Sequence, residues 1–213
     1  MLDYLIFIVV TDVVALAIMS LITTQNQLIS KESKSKFKFT YFLICLVSIL
    51  ELISVIVNGL DNSYRYINIL SNLLCFFLTP FVSIMLGWSI MKPKHLKILA
   101  VCYLIYGLFL ILSMPNALIF GVDANNQYFR GPAYYVYILA YTLSTIYYLV
   151  LVYKVGRKYQ NQSIKIIVVL MAFFFVETSI QVINPNILLS WMCMSLLELA
   201  KIFLSQLFIN IRA

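Results

Sequence analysis

Three glutamates, Glu51, Glu177 and Glu198, stand inside long apolar stretches of this chain, and Asp12 stands in a fourth. A carboxylate in such surroundings is costly. It persists where it pairs, lines a water-filled cavity or carries charge. Other polar residues accompany these acids at three- and four-residue steps. Ser48, Glu51, Ser54 and Asn58 form one series; Asn68, Asn72, Cys75, Thr79 and Ser83 form a second; Tyr134, Tyr137, Tyr141, Ser144 and Tyr148 form a third. Glu177, Gln181 and Asn184 follow, then Ser195, Glu198, Lys201 and Ser205. That spacing puts each set on one helix face, turned to the interior of a bundle rather than to lipid. Its chemistry is recognition by hydrogen bonds and charge. The single histidine, His95, lies in a basic segment without a neighbouring carboxylate or cysteine, so neither a metal centre nor a nucleophile–base pair is expected. We expect no enzyme activity and no cofactor.

Depth divides the polar residues into two layers. Glu51 lies seven residues inside Asn58 and Glu177 seven inside Asn184. At 1.5 Å per residue, both are roughly 10 Å below the outer surface, with Asn72 at a similar level. The candidate ligand-binding residues of this outer layer are Glu51, Asn68, Asn72, Arg130, Tyr137, Tyr141, Glu177, Gln181 and Trp191. Its acids line a water-accessible cavity, bond between helices, or are neutralised by Arg65 or Arg130 reaching down. The central layer holds Asp12, Glu198 and Lys201. Glu198 and Lys201 are one turn apart and suited to a buried ion pair, which Asp12 can join.

The elements that must position these residues are seven apolar runs, at 2–23, 39–58, 67–91, 97–114, 134–154, 164–184 and 187–209. Each is long enough to cross a hydrocarbon layer of about 30 Å as a helix. The basic residues alternate between their connections. Lys31, Lys34, Lys36 and Lys38 follow run one; Lys92, Lys94 and Lys97 follow run three; Lys154, Arg157, Lys158 and Lys165 follow run five; Arg212 follows run seven. The other connections hold only Arg65 and Arg130. Positive charge marks the cytoplasmic side. The expected fold is therefore all-α: a polytopic membrane protein and a single seven-transmembrane-helix bundle over 1–213, with the N-terminus outside and the C-terminus cytoplasmic.

A composition of 63% hydrophobic and 11% charged residues lies outside the soluble range. The net charge of +7 is accounted for by the inner loops, where it sets orientation and touches anionic lipid, so nucleic acid is not an expected partner. Run one has no basic start and no small-residue cleavage site, and reads as a permanent helix rather than a signal peptide. Cys45, Cys75, Cys102 and Cys193 all fall within runs, as buried thiols rather than disulfide partners. Pro80 should interrupt and bend the third helix. The longest connection, 115–133, carries Leu118, Ile119, Phe120, Tyr128 and Phe129, which suggests a lid folded back over the helix ends. Tyr64, Tyr66, Tyr134 and Tyr135 suit a membrane interface.

The stretch ELISVIVNGLDNSYRYINILSNLLCFFLTP, with Glu51, Asn58–Gly59, Arg65, Asn68, Asn72 and Pro80, resembles part of a seven-helix membrane sensor region. Such regions precede bacterial diguanylate cyclase (GGDEF) and histidine kinase domains. Tyr128-Phe129-Arg130-Gly131-Pro132 resembles the entry to its fifth helix. The resemblance implies an outward-open sensory bundle in a bacterial plasma membrane, whose seventh helix runs into a cytoplasmic output domain. No output domain lies within these residues, so the chain is read as the sensor portion of something longer or as a protein acting through a partner. A homodimer is compatible with either.

The leading expectation is a receptor for an extracellular small molecule or short peptide. A small secondary transporter is the alternative; missing internal repeats count against it. A retinal-binding photoreceptor is the remote one, because helix three offers no acid to serve a Lys201 Schiff base. For the central layer, Lys201→Met should cost about 3–5 kcal/mol by stranding Glu198, and adding Glu198→Gln should recover most of it. Thermal unfolding of both single variants and the double in one detergent checks this; additive losses mean the two do not pair.

Overall fold

The computed structural model describes residues 2–27, 30–90 and 96–159. Runs six and seven, with Glu177, Gln181, Trp191, Glu198 and Lys201, lie outside the described residues. Five α-helices and one hairpin are seen: α1 (Leu2–Gln25), α2 (Lys31–Val57), α3 (Arg65–Ile90), α4 (Leu96–Ser113), β1 (Phe120–Val122), β2 (Tyr128–Arg130) and α5 (Tyr134–Tyr159). All five helices are long and apolar enough to cross a membrane. Their outward surfaces are apolar as well. Phe7, Val10, Val14, Ile18 and Leu21 of α1 are exposed, as are Ile98, Val101, Leu104, Ile105, Leu108 and Leu112 of α4. Helices apolar on every side suit a surrounding lipid phase.

The structure differs from the sequence reading at several points, among them Cys102, expected as a buried thiol and found exposed. α2 begins at Lys31, eight residues before the apolar run, so the lysines assigned to a loop belong to its first two turns. Local chemistry accounts for this. The Ser30 hydroxyl accepts from Ser33 N–H at 3.2 Å as an N-cap, and Glu32 stands in the first turn, where the helix dipole favours an acid. Lys36 pairs with Glu32 at 2.6 Å across one turn. The fold is also not purely helical. The 115–133 connection forms an antiparallel hairpin with Phe120 opposite Arg130, Gly121 opposite Phe129 and Val122 opposite Tyr128.

The chain divides into two compact units. The first contains α1, α2 as far as Cys45, and α5 from Leu149. Leu5, Ile8, Asp12, Leu16, Met19 and Thr23 form the buried stripe of α1, at helical spacing. Thr23 and Tyr41 share a hydroxyl–hydroxyl bond of 3.2 Å, and Lys34 Nζ donates to Thr24 O at 2.8 Å, capping the last turn of α1 with a cation. Asp12 is buried on this stripe, and its charge is felt at Cys45.

The second unit contains α2 from Leu46, α3 as far as Trp88, α4, the hairpin and α5 as far as Tyr148. Its core is Phe76, Leu110, Ile119 and Phe120, flanked by Leu73, Phe77, Tyr128, Tyr134 and Tyr137. Here α3 remains helical through Pro80. Proline cannot donate to the carbonyl four residues back, that of Phe76. That oxygen accepts instead from Tyr106 Oη of α4 at 2.8 Å, and Phe77 O accepts from Tyr103 Oη at 2.5 Å. Helix four thus supplies from outside what Pro80 removes from within, which is how the helix passes a residue expected to interrupt it.

The hairpin is built tightly. Gly131 donates to Ile119 O at 2.9 Å and Ala133 to Leu118 O at 2.7 Å. A Cβ on Gly131 would collide with the backbone of Ala117 and Leu118, so no other residue fits there without moving the chain.

Candidate functional site

Asparagine 126 organises the end of the second unit where the hairpin lies. It is fully buried and holds a left-handed backbone conformation, φ 58°, that asparagine tolerates better than most residues. Its amide Nδ2 donates to Val57 O at 2.7 Å and Leu60 O at 3.2 Å, meeting carbonyls at the C-terminal end of α2. Its own carbonyl accepts from Gly59 N at 2.8 Å and from Asn68 Nδ2 at 3.1 Å, and its Oδ1 accepts from Asn68 Nδ2 at 2.9 Å. Asn58 Oδ1 accepts from Tyr128 N at 2.7 Å. The turn between α2 and α3 and the hairpin between α4 and α5 are therefore locked together at one end of the unit.

Asp123 shapes the hairpin tip. Its Oδ1 accepts from Asn125 N and Gln127 N, both at 2.8 Å. Asp61 does the same for the other turn, accepting from Ser63 N at 2.8 Å. That bond holds the exposed Asp61 carboxyl below the usual carboxylate range. Its contribution to the turn is accordingly present at neutral pH and lost as the pH falls through the lowered value. Both acids at this end are engaged by backbone N–H groups. Arg65 reaches the hairpin instead, donating from Nη2 to Val122 O at 3.0 Å.

The predicted outer-layer residues are distributed as follows. Asn68 is fully buried and committed to Asn126; Asn72 Nδ2 donates to Asn68 O at 2.9 Å and to Asn68 Oδ1 at 2.8 Å. In this structure the pair belongs to the latch. Glu51 is half-buried on α2, and its charge is felt at Cys75, Tyr134 and Tyr137. Cys75 Sγ lies 3.9 Å from Val47 O, one turn from Glu51, which sets Glu51 level with the Ser71–Asn72 part of α3.

Arg130 lies with its guanidinium 4.5 Å from the Tyr134 ring centre, a cation–π contact. Its charge also acts on the Tyr128 hydroxyl. Burial pushes that hydroxyl up, with Tyr134 adding to the effect and Arg130 opposing it, so Tyr128 stays protonated at neutral pH. Tyr137 stands edge-on to Phe76 at 4.5 Å and stacks on Tyr141 at 6.2 Å. Arg130 of β2 is thus brought together with Tyr134 and Tyr137 of α5, and Glu51 of α2 lies near enough for its charge to act on both tyrosines. Asp12 belongs to the first unit.

Two residues central to this site escaped the sequence reading. Asn126 sits in DANNQ, which looks like a solvated turn; the one available signal is that asparagine suits a left-handed position. Phe76 was one apolar residue among many, yet its ring meets Phe120, Tyr128, Tyr134 and Tyr137.

No family model, curated protein or solved structure matches this chain.

The latch generates a direct test. Asn126→Gly keeps the left-handed backbone without strain but removes the carboxamide and its bonds to Val57 O, Leu60 O and Asn68 Nδ2; Val57 O keeps Leu60 N and Asn68 Nδ2 keeps the residue 126 carbonyl. The expected loss is about 1–3 kcal/mol, that of one buried group left short of a partner. Asn125→Ala, one residue away and exposed, should change stability by less than about 0.5 kcal/mol. Thermal unfolding in detergent compares the two, and equal losses contradict the latch.

Proposed function

We propose that this chain is a membrane-embedded sensory module. It takes a small molecule or short peptide from outside, beneath the 120–130 hairpin, and passes the change toward a cytoplasmic output domain or partner. The observation that carries the reading is the meeting of Arg130 from the hairpin with Tyr134 and Tyr137 of α5, within electrostatic reach of Glu51 on α2. Groups of both charge signs stand there among aromatic rings, within a bundle whose other faces are apolar. Ligand sites are concave and mostly apolar, with a few convergent polar groups. Costly intramembrane charge marks function more often than packing.

The wider frame is a seven-helix bundle in a bacterial plasma membrane, N-terminus outside, resembling the sensor regions in front of diguanylate cyclases and histidine kinases. Charge alternation along the sequence supports that orientation. So does the joining of two connections without lysine, 58–64 and 114–133, at one end of the second unit. Opening the hairpin would admit the ligand, and binding would shift the balance between conformations that differ at the inner helix ends.

Thermal-shift screening of the purified protein against free amino acids, biogenic amines and di- and tripeptides tests this reading. A ligand at a hundredfold its Kd contributes about 2.7 kcal/mol of stability. At least one compound should raise the melting temperature of wild type by several degrees. Glu51→Gln should keep the unliganded melting temperature within a few degrees and lose that shift. A compound whose shift survives Glu51→Gln places the binding site elsewhere.

A further inference from the structure

Three successive carbonyls of α3 accept from side-chain hydroxyls. Cys75 O takes Thr79 Oγ1 at 2.7 Å, Phe76 O takes Tyr106 Oη at 2.8 Å, and Phe77 O takes Tyr103 Oη at 2.5 Å. Pro80 explains the second of these, since it cannot donate to Phe76 O. The other two lie on either side of it. Hydroxyl back-bonding within a helix loosens and bends it in its own right. α3 is therefore held at this level by side chains, two of them from another helix.

Helix four is shaped to reach it. Gly107 follows Tyr106, and a Cβ there would lie 2.6 Å from the Phe77 ring, so the absence of a side chain lets α4 come close. Tyr103 also packs its ring on Phe77 and Phe81, at 4.9 and 5.1 Å. The contact spans both sides of Pro80.

Phe76 faces two ways. Its carbonyl belongs to the Tyr106 bond, and its ring is the hub on which Phe120 and Tyr128 of the hairpin and Tyr134 and Tyr137 of α5 converge. Below Pro80, Ser83 meets Thr145 of α5 at 3.4 Å.

We propose that residues 75–80 of α3 form a conformational joint, held by the Tyr103 and Tyr106 hydroxyls and set by the hairpin through the Phe76 ring. A displacement of the hairpin moves Phe76, strains the Tyr106 bond, and changes the angle at which residues 81–88 leave the joint. This coupling does not depend on a ligand; it is a property of how the hairpin, α3 and α4 are packed.

Hydrogen–deuterium exchange of the full chain in lipid nanodiscs tests it. In Tyr103→Phe/Tyr106→Phe, amides of α3 around Pro80 should exchange on the order of tenfold faster, as one lost bond of about 1.4 kcal/mol implies. Amides of 120–130 should quicken in the same variant. Pro80→Ala restores a donor for Phe76 O, so in that background Tyr106→Phe should change α3 exchange by less than about twofold. Faster α3 exchange with an unchanged hairpin overturns the coupling, and no change in either overturns the joint. If the double tyrosine variant does not fold, adding Pro80→Ala should recover folding; failure to recover it also overturns the proposal.

Discussion

A backbone carbonyl or N–H inside an apolar bundle has no water to bond, and an unmet group costs on the order of 1–3 kcal/mol or more. That constraint shapes each irregular feature of this fold. Regular helix satisfies most of the chain from within itself. What remains are the places where a helix ends or is chemically damaged, and three of these have been given a side chain. Lys34 meets Thr24 O where α1 ends. Asn126 meets Val57 O and Leu60 O where α2 ends. Tyr106 meets the carbonyl that Pro80 leaves without a donor. Remove these repairs and the backbone can neither turn nor tolerate its proline.

The repairs also determine where function can reside. Two of them converge on the hairpin, one by hydrogen bonds at Asn126 and one through the Phe76 ring. The hairpin thereby becomes a structured part of the second unit rather than a loose connection. The same packing brings Arg130 of β2 together with Tyr134 and Tyr137 of α5, within electrostatic reach of Glu51 on α2. Groups of both charge signs and phenol hydroxyls are thereby brought near one another.

The five described helices were legible in the sequence because long apolar runs admit few other structures in lipid. Their register was legible from polar residues spaced at three and four. Glu51 was placed level with Asn72 by counting residues, and the Cys75–Val47 contact sets it at the same height. Less legible was anything decided by a partner distant in sequence. The lysines at 31–38 read as loop because they are polar, yet a serine cap and one Glu–Lys pair suffice to make them helix. Asn68 and Asn72 read as ligand contacts because their amides face inward; that a buried Asn126 would engage Asn68 could not be foreseen from a turn-like DANNQ. Pro80 read as an interruption because tyrosines some 25 residues away carry the repair.

The proposed orientation puts the hairpin on the outer side of the membrane and the basic start of α2 on the inner side. Cysteine labelling tests it most directly. With the four native cysteines replaced by alanine, single cysteines are placed at Asn125 and Ser35, both exposed. A membrane-impermeant maleimide added to intact cells should label Asn125→Cys, and Ser35→Cys should react only after the membrane is permeabilised. The opposite pattern, or labelling of both positions in intact cells, contradicts the account.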